Sequence, residues 1–308
     1  VVIIVPSIRM RIKQVVVGVP RRGRYTLARR VLQVLVLFLF TIQLVVPWKI
    51  VEGSLASSRF LGRIPFIDVF AFVEEVVSSR TVSSVEPLIA LLVVIVLYFF
   101  LGRAFCGWIC PFDVILSLFE RKMWRRETRY TIPRRIARRE VLVPLLVVGV
   151  YLVLSFIYGY PFFTTISPIA STTKFSSILL GVLYNVPGAT MGLLLGWATI
   201  LVGATVLNTV ADRVFGVKRL WCRYLCPVGF IYGIAFNRNS SLKVYVDHPD
   251  KCINCMLCNI TCPMSIDVHS FVEENYVDDL RCIMCGRCVE VCPTGVFKFS
   301  IRPRWRRA

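Results

Sequence analysis

The 12 cysteines of this 308-residue chain fall into four groups with none left over. Cys252, Cys255, Cys258 and Cys262 form one CxxCxxCxxxCP run, and Cys282, Cys285, Cys288 and Cys292 form a second. Thiolate is the ligand that iron-sulfur clusters take, and a four-iron cubane needs four thiolates converging from different directions. A tight loop with a cysteine at every third residue supplies three of them, and the fourth must come from elsewhere. Zinc competes for CxxC pairs, but it favours separated pairs and often histidine. The doubled run speaks for iron and sulfide.

In a two-cluster ferredoxin the fourth cysteine of each run binds the cluster of the other. That assigns Cys252, Cys255, Cys258 and Cys292 to one 4Fe-4S cluster, and Cys282, Cys285, Cys288 and Cys262 to the other. Pro263 and Pro293 end the short helices that carry the fourth ligands, because proline disfavours helical geometry in the residue before it. Residues 241–308 are then an α+β, two-cluster ferredoxin-like domain.

The other four cysteines form two shorter motifs, FCGWICP with Cys106 and Cys110, and WCRYLCP with Cys222 and Cys226, 116 residues apart. Each follows an apolar run and a basic residue, Arg103 or Arg219. CxxxC on a helix places both thiols on one side, so four thiols converge if the two segments meet at the same depth. Three readings stay open: a third metal centre, a dithiol that cycles with its disulfide, or the packing of a tight helix end by cysteine as a small apolar side chain.

The elements that must position these groups are apolar. Hydrophobic residues make up 56% of the chain, which places it in a membrane class. Uncharged runs cover 31–48, 87–102 and 141–158, and a fourth lies within 178–207, where Pro187 and Gly188 break or delay the helix and leave 189–208 as the span. Each approaches the length needed to cross a hydrocarbon core of ~30 Å. Of the 37 Lys and Arg residues, 32 lie in 1–30, 102–140 and 208–308. That is the positive-inside pattern, and it accounts for the net charge of +19 without nucleic acid.

The expected architecture is an all-α transmembrane four-helix bundle of two parallel-repeat hairpins, followed by the ferredoxin-like domain. It divides into a basic cytoplasmic segment (1–30), a membrane domain with both CxxxCP motifs (31–240) and the tail (241–308). The chain is expected to be multi-pass in the cytoplasmic membrane, with both termini and the tail on the cytoplasmic, reducing side, where a disulfide framework is disfavoured. No processed leader is expected. On the outer side, residues 60–79 alternate apolar stripes with single charges, as suits a helix lying at the interface.

The two histidines, His248 and His269, both lie in the tail. Bis-histidine haem b within the membrane is therefore excluded, and the lack of CxxCH excludes covalent haem c. The apolar runs hold no Asp, Glu, Lys or Arg, which argues against an ion pump. No P-loop or strand-borne GxGxxG supports nucleotide chemistry. Electrons must then come from a lipid-soluble donor or a protein. Asp113, Asp68, Glu74 and Glu75 are candidate acceptors for a quinol proton, with a solvated charge as the competing role of each.

Together, the four apolar runs, the two CxxxCP motifs and the doubled ferredoxin run resemble the NapH/MauN membrane polyferredoxins, related to the NosR and CcoG core. The resemblance covers nearly the whole chain. NosR-like members add a flavin region before the membrane part and CcoG-like members a domain after the ferredoxin. Here the first apolar run begins at residue 31 and sixteen residues follow Cys292, so the NapH-like form is favoured. The resemblance implies a quinol dehydrogenase subunit that passes electrons to an iron-sulfur or cytochrome partner of a respiratory reductase. Two alternatives are a maturation or regulatory factor for a metal enzyme, and a cluster-relaying membrane anchor with no quinone site of its own.

Overall fold

A computed structural model describes residues 23–43, 51–81, 85–123 and 140–301. The first half runs through α1 (Arg24–Ile42), a three-stranded antiparallel sheet of β1 (Val51–Gly53), β2 (Ser57–Phe60) and β3 (Ile64–Ile67), then α2 (Val69–Ser79), α3 (Glu86–Leu101), α4 (Ala104–Trp108) and α5 (Phe112–Met123). The second half holds α6 (Leu142–Tyr158), α7 (Phe162–Ile166), α8 (Pro168–Leu183), α9 (Met191–Phe215), a π-turn at Trp221–Leu225, α10 (Pro227–Tyr232) and a second π-turn at Gly233–Asn237. The tail contains β4 (Leu242–Val246), α11 (Leu257–Thr261), α12 (Arg287–Val291) and β5 (Phe297–Ile301).

Among the described residues, α1 and α9 are long and apolar enough to cross a membrane, while α3 and α6 are shorter, at 16 and 17 residues. Pro187 and Gly188 lie between α8 and α9. The polarity of these helices is the reverse of that in a water-soluble bundle. On α1, Arg29 and Gln33 are fully buried, whereas Leu27, Val31 and Phe38 face outward. On α8, Ser171, Thr173 and Ser177 are buried and Leu183 is exposed. Small hydroxyl residues let helices approach closely and spend their protons locally: Ser171 donates to the Ser167 carbonyl at 2.9 Å, and Ser177 to the Phe40 carbonyl of α1 at 2.5 Å.

The stretch 60–79 is not one interfacial helix. Leu61 and Gly62, both at positive φ, turn β2 into β3, and Pro65 suits an extended strand better than a helix interior. Helix begins only after Asp68, whose Oδ1 accepts from the Phe70 and Ala71 N–H groups at 2.8 and 3.4 Å and caps α2. The segment runs alongside α3. Arg59 pairs with Glu86 at the start of that helix, and Asp68 meets Tyr232, which stacks on Tyr98 near its end. In the second half, Ser167 caps α8 by accepting from the Ile169 N–H.

In the tail, β4 pairs antiparallel with β5, Leu242 opposite Ile301 and Val246 opposite Phe297. The two cysteine loops repeat each other at an offset of 30 residues, Cys252 corresponding to Cys282. The backbone repeats too. Asn254 and Met256 have positive φ, as do Met284 and Gly286, and so do Ser265 and Gly295 beyond the fourth cysteines. Alternating hand of this kind turns successive N–H groups toward a common centre and makes a concavity suited to an anion.

Candidate functional site

Cys262, Cys282, Cys285 and Cys288 line one cavity of the tail, walled by apolar groups such as Val244, Met264 and Ile266. Burial pushes the Cys288 thiol well up, and the neighbouring Cys285, Cys282 and Cys262 thiolates push the same way. Cys258 is likewise raised by burial and by Cys255, with smaller contributions from Cys292 and Cys252, against the Asn259 N–H. The fourth cysteine of each run receives a backbone N–H from four residues on: Ile266 to Cys262 Sγ at 3.4 Å, and Val296 to Cys292 Sγ at 3.3 Å. Thiols gathered in an apolar cavity with N–H donors aimed at sulfur fit an anionic iron-sulfur cluster. Among the described residues, no three His, Cys, Asp or Glu side chains close on a single-ion position.

The CxxxCP segments lie between this tail and the helices. Cys106 is in α4 and Cys222 in the first π-turn, and both touch the core of the apolar helices and the tail core. Cys110 and Cys226 are buried in the core of the apolar helices. The two thiols of a motif do not share one regular helix face, because the proline that follows pushes Cys110 and Cys226 out of helical geometry. Each closes instead on the residue five before it, Cys110 N–H to the Phe105 carbonyl at 3.0 Å and Cys226 N–H to the Trp221 carbonyl at 2.8 Å. The two motifs are brought together: Cys110 and Cys226 are buried in one cluster, and Cys106 and Cys222 pack against it.

The basic residue ahead of each motif crosses to the other half. Arg103 donates through Nη2 to the Cys222 carbonyl at 2.6 Å and through Nη1 to the Leu280 carbonyl at 3.3 Å. Arg219 pairs with Asp113, which follows the first motif. The tail loop 279–284 rests on this platform through its carbonyls. Asn237 donates to Asp279 and Cys282 at 2.8 and 3.0 Å, and Trp108 donates to Met284 at 2.8 Å. Gly107 and Gly233 make the approach possible, since a Cβ there would stand 2.3 Å from the Ile283 carbonyl oxygen and 2.4 Å from that of Leu280.

Asp113 is not a solvated charge; its side chain is 3% exposed. Burial acts to raise its carboxyl, but Arg219, Arg29, Arg30 and Arg287 outweigh that and hold it well below the usual carboxylate range. Arg30 Nη1 donates to Oδ2 at 2.8 Å, and Gln33 Nε2 at 3.1 Å. Asp68 and Glu74 are buried as well. Glu74 accepts from the Ser155 and Thr164 hydroxyls at 2.8 and 2.7 Å and from the Phe163 N–H at 2.7 Å, which ties α2 to α6 and α7. Glu75 is half-buried. Asp68 lines a cavity with Thr164, Ser167, Phe105 and Val228, so the first turns of α2 and α8 and both CxxxCP segments border one space. Tyr232 donates to Asp68 Oδ2 at 2.6 Å. His269 contacts Asn254, and His248 lies beside Asp247.

Sequence reasoning missed Arg29, Tyr232, Asn237 and Trp108. Gln33 carried a visible signal, as the first of two amides in the otherwise apolar run 31–48.

The 4Fe-4S binding domain family matches residues 84–129 and 213–244, the two CxxxCP regions, and the 4Fe-4S dicluster domain family matches 244–293. The ferredoxin-type protein NapH of Escherichia coli is 30% identical over 92% of this chain and 91% of its own length. NapH of Haemophilus influenzae is 29% identical over 91% of each. The methylamine utilization ferredoxin-type protein MauN of Methylorubrum extorquens is 28% identical over 93% and 92%. No solved structure matches. With its dicluster tail and apolar helices aligned to these relatives over nearly their whole length, the chain belongs to the NapH/MauN family of ferredoxin-type proteins.

Proposed function

We propose that this protein is a multi-pass protein of the cytoplasmic membrane that oxidises a quinol and delivers the electrons, through its cytoplasmic tail, to an iron-sulfur or cytochrome partner of a respiratory reductase. One observation carries the reading: the cavity holding Asp68 is bordered by Phe105 of the first CxxxCP segment and by Val228, next after the second, and the tail is seated on Trp108 of the first segment and on Asn237. That a cavity with a buried carboxylate adjoins the segments beneath the tail supports the reading. The apolar outer faces of α1, α3, α6 and α9 and the basic loops support the membrane placement.

In this reading Cys252, Cys255, Cys258 and Cys292 hold one 4Fe-4S cluster, and Cys282, Cys285, Cys288 and Cys262 the other. Cys106, Cys110, Cys222 and Cys226 hold a third, which the 4Fe-4S family match to their two segments supports over a dithiol couple. When bound, such clusters take up and release one electron at a time. Arg103 and Arg219 lock the two halves together around the CxxxCP thiols, and their charge offsets that of the thiolates. A quinol gives up two electrons and two protons. Asp68 accepts a proton at Oδ2, where Tyr232 now donates, passes it to water and accepts the second.

The test uses the full chain in lipid nanodiscs, with iron and sulfide analysis and electron paramagnetic resonance. Quinol is expected to reduce the clusters. Asp68→Asn and Cys222→Ser are expected to suppress that reduction while dithionite still reduces the tail clusters. Fully loaded clusters that no quinol reduces would end this proposal.

A further inference from the structure

Among the described residues, Arg29 is the largest side chain buried below 2%. It carries a guanidinium with five N–H donors, yet among the described residues Nε, Nη1 and Nη2 find no hydrogen-bond partner. Asp113 stands 3.7 Å from its Nη1. That carboxylate is already bonded by Arg30, Gln33 and Arg219. A buried guanidinium whose N–H donors go unmet is costly enough that folded proteins rarely keep one, so the fork points to an acceptor outside the described polypeptide.

The packing of α1 indicates where that acceptor sits. One turn before Arg29, Tyr25 lies against Gly286, where an added Cβ would stand 3.2 Å from the tyrosine Cβ. Thr26 donates its N–H to Glu290 at 2.8 Å, fastening the start of α1 to α12. One turn after Arg29, Gln33 reaches the Gly107 carbonyl at 3.0 Å. Arg29 is thus held between the Cys282–Cys292 loop and the first CxxxCP segment. Cys285 adjoins Gly286, against which Tyr25 packs, and Asp113 lies 3.7 Å from Arg29 Nη1. Cys285 lines the tail cavity with Cys262, Cys282 and Cys288.

We infer that Arg29 is a positioning residue for the 4Fe-4S cluster of that cavity, donating to its sulfurs and raising its reduction potential. Hydrogen bonds to sulfur and nearby positive charge favour the more negative, reduced cluster. The consequence is that α1 makes this cluster a better electron acceptor than its cysteines alone would. The inference rests on the cluster assignment above and is independent of whether quinol is the donor.

The experiment is a potentiometric titration of the full chain in detergent, followed by electron paramagnetic resonance and poised with dithionite and mediators, with no quinol present. In Arg29→Met, one tail-cluster signal is expected to move to lower potential, its reduced-to-oxidised ratio at a fixed ambient potential falling about tenfold, which for one electron is 59 mV. The second tail signal is expected to stay in place. Arg29→Lys keeps the charge without the planar fork and should fall between. Unchanged potentials in Arg29→Met, or an equal shift of both tail signals, would overturn the inference. If Arg29→Met does not load its clusters, Arg29→Lys decides: a shift of one signal supports the role and wild-type potentials refute it. Failure of the cluster assignment reads differently, as wild-type protein without the two tail signals.

Discussion

Arg103 stands two residues before Phe105 on the first CxxxCP segment, and its Nη2 reaches the carbonyl of Cys222 on the second, 2.6 Å away. The same guanidinium touches the Leu280 carbonyl, and its own N–H is held by Asn237 Oδ1 at 3.1 Å. One side chain therefore joins the two CxxxCP regions and the tail. Arg103→Met removes two charge-assisted bonds from a buried site and is expected to cost about 3 kcal/mol or more. A large fall in the thermal unfolding midpoint of the detergent-solubilised protein would show it, and Arg103→Lys should recover part of it.

Gly107 tests the seating of the tail. In Gly107→Ala the new methyl meets the Ile283 carbonyl, and overpacking of this kind costs about 1–3 kcal/mol. Cluster content and dithionite reduction should be retained, whereas stopped-flow reduction of the tail by quinol should slow several-fold. An unchanged rate would mean that electrons do not pass through this contact.

Exchange of the fourth ligands separates crossed from uncrossed coordination. Cys262→Ser should perturb the spectrum of the cluster held by Cys282, Cys285 and Cys288. Cys292→Ser should perturb that of the cluster held by Cys252, Cys255 and Cys258. The opposite pattern in electron paramagnetic resonance would establish that each run binds its own cluster.

Asp113 is ion-paired with Arg29 and Arg30 of α1 and with Arg219 ahead of the second CxxxCP motif. Asp113→Asn leaves those cations without their anion, and breaking a buried pair in this way costs about 3–5 kcal/mol. The expected result is poor folded yield, read by size-exclusion chromatography. Asp113→Glu should restore part of it.

Cys106→Ser and Cys222→Ser, taken separately, should each lower the iron content by about four per chain, since a cubane holds four irons. Both tail signals should remain. Iron content equal to the wild type in both variants would return these thiols to a redox or packing role.

The cysteine runs, the basic loops and the apolar stretches were legible in the sequence because each is a local pattern. A loop with thiols three apart presents three ligands however the rest of the chain folds, and hydropathy is a property of each segment alone. The charges were read less well. Asp113, Asp68 and Glu74 look like surface carboxylates between apolar runs, and only the tertiary structure decided that they are buried. Their partners lie far away in sequence, Asp113 with Arg219, Asp68 with Tyr232 and Glu74 with Thr164. Arg29 could not be singled out from its neighbour Arg30, because which of two adjacent arginines faces the core depends on the angle at which α1 meets the tail. The desolvation of a charge and the partner that offsets it belong to the packed chain, and no short stretch of sequence contains both.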